Sequence, residues 1–200
     1  YAEGKLRQGI TSEISGNCGT TPFPLRGKDI DKFRNKFHKR YEIKTHWKDI
    51  EDYFLSLEDN GTAVNYASLI GHGNLRTAVV GKNDVQLTTK QMNKMKGIIV
   101  EYMQVGALGL STGLEYAPGS YAKTEELIEL SKVVSKYNGI YTTHMRNESD
   151  TVIEAIEEAI EICKKAEVSL EISHLKARNK NNWHKVDIFL DLIQKEIDNG

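Results

Sequence analysis

Five runs of β-branched and aliphatic residues alternate with amphipathic helical segments along this chain. No two-residue turn joins any pair of those runs as a hairpin. Strict β/α alternation requires parallel strands with crossover helices, which leaves a doubly wound sheet or a (β/α)₈ barrel. A dinucleotide-binding turn would need GxGxxG after a strand, and none occurs. Polar residues at the ends of several different strands favour the barrel. Five units do not close an eight-stranded barrel. The expected fold class is therefore α/β, a partial (β/α)₈ TIM-type barrel of about five central units, with roughly three missing.

The first run, Ile10 to Ile14, leads into a cysteine flanked by glycines, SGNCG, at Cys18. Before it, YAEGKLRQ reads as the last turns of a helix capped by Gly9. The chain starts at Tyr1 rather than Met, and we expect a piece of a longer protein. After Cys18 comes a connection with Pro22, Pro24 and Gly27. A basic segment follows in which Phe33, Phe37 and Tyr41 recur at helical spacing. Its lysines and arginines read as a solvated helix face rather than an RNA-binding surface, because no stacking module surrounds them.

Trp47, Ile50, Phe54 and Leu57 predict a helix ended by Asn60-Gly61, and AVNYASLI predicts a strand ending at Gly71-His72-Gly73. Thr88-x-x-Gln91 predicts a capping box for a helix with Met92, Met95, Ile99 and Tyr102 on one face. The strand ALGLST then runs into the loop GLEYAPGSY. A helix follows with Leu127, Leu130, Val134 and Tyr137 on one face, then the strand GIYTT ending at His144. Thr151-x-x-Glu154 predicts a second box for a helix with Ile153, Ile156, Ile160 and Cys163 inward. The strand VSLEIS ends at His174, and a last helix carries Trp183, Val186, Leu190, Ile193 and Ile197.

Composition narrows the function classes. Lys plus Arg (27) nearly balances Asp plus Glu (28) in 200 residues, so charge argues for neither nucleic acid nor an anionic membrane as partner. No apolar run approaches a membrane span, and there is no signal-peptide core. Two distant cysteines do not describe a disulfide framework, so a reducing cytoplasm is the expected compartment.

Cys18, His144 and His174 each lie at the C-terminal end of a strand that precedes a helix. His144 and His174 are one β/α unit apart. A lone cysteine is most often a small buried hydrophobe, and a lone histidine is usually structural. Three such residues at equivalent positions point instead to a metal site. A Cys, His, His set suits Zn²⁺ and leaves a fourth position open, as catalytic sites do. Cys163 falls in line with its helix's isoleucines and reads as core. His38, His46 and His184 read as surface residues. His72 either lines a pocket or caps its loop. Lys176, on the same rim as His174, either holds a substrate carboxylate or is an ordinary exposed lysine. Ser111, Thr112 and Tyr116 belong to a glycine-rich stretch that either shapes a pocket or simply turns.

Five stretches together resemble the middle of the N-acyl-D-amino-acid deacylase (D-aminoacylase) family of metal-dependent amidohydrolases. They are GITSEISGNCG, ASLIGHGNLR, GALGLSTGLEYAPGSYA, GIYTTHMRNE and EISHLKA. The resemblance implies a distorted (β/α)₈ barrel with a small β-sandwich built from the chain's two ends. It implies that Cys18, His144 and His174 are the tight zinc ligands, Cys18 standing where many amidohydrolases carry a carboxylated lysine. It further implies that Lys176 holds the substrate's α-carboxylate and that Tyr116 lines the substrate pocket, with His72 and Ser111 as weaker members. The implied reaction is hydrolysis of an N-acyl-D-amino acid to a carboxylate and a free D-amino acid.

Such enzymes also carry an HxH pair on the first strand and a general-base aspartate on the last, and neither is in this sequence. Residues 1–200 are thus expected to be one fragment of the catalytic barrel, with no catalytic base of its own and no activity alone. Its unpaired sheet edges lead us to expect self-association. Two rival readings are a cyclic amidohydrolase of the dihydroorotase or hydantoinase type and a non-catalytic zinc-stabilised scaffold. Cys18 in the bridging position and Lys176 after SHL argue against the first. Three apparent ligands, where a structural zinc has four, argue against the second.

Overall fold

The computed structural model describes residues 2–26 and 29–199; Tyr1, Gly27, Lys28 and Gly200 lie outside the described residues. A short helix α1 (Glu3–Leu6) precedes strand β1 (Ser12–Ser15), with Gly9 at φ +78° turning the chain between them. Helix α2 (Asp29–Tyr41) and helix α3 (Ile50–Asn60) follow. Phe33, Phe37 and Tyr41 stack along one side of α2, and Phe37 meets Trp47 edge-on. The aromatics are therefore spent on packing, and the basic residues of α2 form its outer face. Trp47 is buried but lies ahead of α3 rather than on it.

The predicted strand AVNYASLI is two strands. β2 (Asn65–Ser68) pairs in parallel with β1, whereas β3 (Ile70–Gly71) pairs in parallel with β4 (Gly109–Gly113). The exchange happens at Leu69. Gly16 (φ +88°) turns β1 away there, so close to the Leu69 backbone that a Cβ would lie 2.9 Å from its carbonyl oxygen. Beyond that point the chain finds a partner only in β4. Helix α4 (His72–Val80) starts directly after β3 and was not predicted, because HGNLRTAVV shows no clear helical stripe.

Helix α5 (Thr89–Val105) opens on the predicted capping box, with Thr88 and Gln91 bonding reciprocally. After β4, helix α6 (Thr124–Ser135), β5 (Ile140–His144), helix α7 (Val152–Ala166), β6 (Ser169–Ile172) and helix α8 (Val186–Asp198) complete the alternation. The second predicted box does not form. Thr151 makes no capping bond, and Asn147 Oδ1 instead accepts from the amides of Ser149 and Thr151. Trp183 lies on a 3₁₀ segment before α8 rather than on the helix expected to carry it, and is 60 % exposed; Phe189 is the buried residue of α8.

All described strand pairs are parallel, in the order β3-β4-β5-β6 with β1-β2 as a separate pair. β4 is buried along its whole length, as an interior parallel strand covered on both faces must be. The main core lies between this sheet and α5 and α6, around Leu110, Tyr141, Met95, Ile99, Leu127 and Val134. A smaller cluster joins α7 and α8 through Ile156 and Phe189.

Candidate metal centre

His144 is the last residue of β5, in register with Gly113 of β4, and its carbonyl accepts from the Leu114 amide at 3.0 Å. The pairing fixes its backbone at the C-terminal rim of the sheet. His174 follows β6 on a turn, at φ +41°, and Cys18 follows β1 on the Gly16–Thr20 loop, at φ +57°. Both occupy the left-handed region that non-glycine residues seldom adopt. That loop is pinned where it crosses the sheet. Ser111 Oγ donates to the Gly16 carbonyl and accepts from the Gly19 amide, and the Gly73 amide donates to the Gly19 carbonyl. Gly71 admits the loop: a Cβ there would lie 2.8 Å from the Gly19 carbonyl oxygen.

The three predicted ligands converge. Cys18 Sγ lies 3.4 Å from His174 Nε2, and the rings of His144 and His174 meet edge-on with centroids 4.5 Å apart. One ligand atom from each of the three lies within 4.8 Å of the others. In a tetrahedral site with S and N ligands the donor atoms are about 3.5 Å apart. The donor set therefore fits a tetrahedral ion of borderline softness. Burial, then the Glu148 carboxylate, pushes the Cys18 thiol above its ordinary range, so a metal would have to displace its proton.

Two carboxylates at the centre were missed in the sequence. Glu148 is buried, with Oε1 at 2.6 Å from Lys176 Nζ, 2.9 Å from His174 Nδ1 and 3.9 Å from His144 Nε2. Glu115 Oε2 lies 3.1 Å from His144 Nε2 and pairs with Arg178, which with His144 holds its carboxyl below the ordinary range. Glu115, His144 and Glu148 form a second group of potential ligands among the described residues. Each of its carboxylates already carries a cation, Arg178 on one and Lys176 on the other. No signal marks these glutamates in the sequence, where each reads as a solvated loop residue.

Lys176 sits on the rim as expected, exposed, bonded to Glu148 and to the His174 carbonyl. Tyr116 donates its hydroxyl to the Cys18 carbonyl at 2.5 Å and presses its ring against His144. Burial and the neighbouring Cys18 push its phenol up to about 12. Two weaker expectations are corrected. His72 is fully buried, with Nε2 at 2.8 Å from Glu126 beneath the likewise buried Arg76, so it cannot meet a substrate. Ser111 is fully buried too, and its hydroxyl is consumed in holding the Cys18 loop. Thr112 bonds Thr143 and Tyr141 inside the sheet. His38, His46 and His184 are exposed, as expected.

No family model matches the chain. The D-aminoacylase of Alcaligenes xylosoxydans xylosoxydans is 34% identical over 194 residues, covering 95% of this chain and 39% of the relative. The N-acyl-D-glutamate deacylase of the same organism is 34% identical over 185 residues, covering 92% and 37%. Among solved structures, the N-acyl-D-glutamate deacylase of Bordetella bronchiseptica superposes with a TM-score of 0.88 at 31% identity, over 98% of this chain and 41% of that one. The chain is homologous to the D-aminoacylases. A D-aminoacylase crystal structure described as defining a novel subset of amidohydrolases gives a TM-score of 0.85 at 31% identity, over 97% and 40%. The chain thus spans about two fifths of the length of its D-aminoacylase relatives and matches part of their barrel. The Bordetella structure is a complex with zinc and a phosphonate mimic of the reaction's tetrahedral intermediate, and a further D-aminoacylase structure addresses a binuclear metal centre.

Proposed function

We propose that this chain carries the metal-binding part of a zinc-dependent hydrolase that cleaves the linear amide of N-acyl-D-amino acids. The observation that carries the reading is the convergence of Cys18, His144 and His174 from three strand ends. Zinc, when bound, supplies a Lewis acid that polarises the scissile carbonyl. In this reading Lys176, on the rim beside His174, exchanges its pairing with Glu148 for the substrate's carboxylate. Tyr116 forms the wall between Cys18 and His144, where the substrate would lie.

Neither Glu115 nor Glu148 is a free base, since each holds a cation. The reading therefore leaves the general base, and the HxH pair, to parts of the parent protein outside these 200 residues. Two free cysteines and the absence, among the described residues, of a helix able to cross a membrane accord with a cytoplasmic enzyme.

Metal content by elemental analysis tests the centre. The wild-type chain is expected to retain near-stoichiometric zinc and Cys18→Ala to lose it. Equal zinc in both would remove Cys18 from the site. The isolated chain is expected to show no deacylation, and measurable turnover would show that it holds its own base. On the full-length parent, trials of N-acyl-D-amino acids against cyclic imides separate this reading from a cyclic amidohydrolase.

A further inference from the structure

The loop that carries Cys18 also bounds a second space. Gly19, which follows Cys18, and Tyr116, whose hydroxyl bonds the Cys18 carbonyl, line a cavity of about 350 Å³. Residues of α2 and of the first turns of α4 line the rest of it. The cavity and the metal centre thus share a wall, since the Tyr116 ring also packs against His144. The charge of the described lining is one-sided. It holds Arg26, Lys32, Lys36 and Lys82, and among the described residues no Asp or Glu. Arg26 is spent on Asp49, to which both of its terminal nitrogens donate. The three lysines are exposed, and neither Lys36 nor Lys82 pairs with a carboxylate among the described residues. Between them lies Asn74, whose side-chain oxygen is taken by the Thr21 amide at 2.9 Å. Its NH₂ group keeps no partner among the described residues. Ammonium and amide NH₂ groups can only donate, so their complement is a ligand rich in acceptors and negatively charged. A concave wall set with like charges concentrates their field on such a ligand.

We propose that this cavity is an anion site that takes a carboxylate. The lysines bind it as point charges on flexible stems, and Asn74 supplies a donor whose orientation the Thr21 amide fixes. Two sources fit that chemistry. One is a second acidic group on a substrate held at the neighbouring metal centre, and the other is a free dicarboxylate. The first source rests on the hydrolase reading above, whereas the site itself rests on the cavity and its charges.

Glutarate is the probe. Titrated at constant ionic strength into the nitrogen-15-labelled chain, it is expected to give saturable shifts of the Thr20 and Asn74 signals, the Asn74 side-chain NH₂ included. Lys36→Met combined with Lys82→Met, both at exposed positions, should weaken that binding about tenfold or more, the worth of a charge-assisted hydrogen bond. Glutaramide, the neutral diamide of the same shape, should leave these signals in place. Failure of glutarate to saturate would overturn the proposal, as would equal binding in the double variant or equal shifts from the diamide. Kinetics of the full-length parent separate the two sources. If the substrate brings the anion, the double variant lowers the ratio of kcat/KM for N-acetyl-D-glutamate over N-acetyl-D-leucine about tenfold, chiefly through KM. If a free anion fills the site, that ratio holds, and added glutarate changes turnover of both substrates alike. Either result keeps the site and identifies its occupant. A parent that cleaves neither substrate would sink the hydrolase reading, while the titration of the chain still decides the anion site.

Discussion

Asp49 fastens three segments that chain order keeps apart. Although it occupies the N-cap position of α3, its carboxylate makes no capping bond. It accepts instead from both terminal nitrogens of Arg26, at 3.0 and 2.7 Å, and from the Tyr102 hydroxyl on α5. Burial acts to raise its pKa, but the bonds from Arg26 and Tyr102 outweigh it and hold the carboxyl below the ordinary range. A folded pKa below the unfolded one gives stability that is present above the unfolded value, about 3.9. That stability is lost as pH falls through the folded value. Asp49→Asn is expected to cost about 1–3 kcal/mol at pH 7, the worth of charge-assisted bonds. Urea unfolding at pH 7 and pH 3 should show the penalty shrinking in acid, whereas a constant penalty would assign the effect to shape. None of this was legible in the sequence. Cys18, His144 and His174 were, because a strand pattern ended on each. A carboxylate such as Glu115, Glu148 or Asp49 leaves no periodic trace, and its partner is chosen by tertiary contact.

At the scale of elements, two segments with the same Thr-x-x-(Gln/Glu) signature behave differently. Thr88 has the extended backbone an N-cap needs (φ −72°, ψ 160°) and closes its box with Gln91. Thr151 sits at φ −112°, ψ 36°, and Asn147 has already taken its amide. Thr88→Ala should therefore cost about 1 kcal/mol and Thr151→Ala less than about 0.5 kcal/mol. Thermal melting of both variants checks this, and equal losses would mean that both boxes form in solution. The alternation of strands and helices was readable because apolar period is a local property. The exchange of partners at Leu69 was not. AVNYASLI is one uninterrupted strand pattern, and the turn that ends β1 pairing lies at Gly16, far away in sequence.

Over the whole molecule, parallel pairing leaves an unpaired strand edge at the first and at the last strand of the alternation. Among the described strands, β6 pairs only with β5 and β1 only with β2. Beside β6 runs a groove of about 510 Å³ lined by Leu170, Ile172, Leu175, Ile193 and Ile197. Exposed strand edges next to apolar surface favour pairing between chains. Light scattering over a range of concentrations should show association, and a strict monomer at the highest concentration would count against it. The rim itself is built unevenly. His144 is locked into the β4–β5 ladder, while Cys18 and His174 ride on left-handed turns outside it. One jaw of the clamp is thus part of the sheet, and the other two are tied to it from outside, Cys18 through the loop that Ser111 pins and His174 through the preceding Ser173 amide, which donates to Thr143. A clamp tied down on every side sets the ion it accepts by the spacing of its jaws.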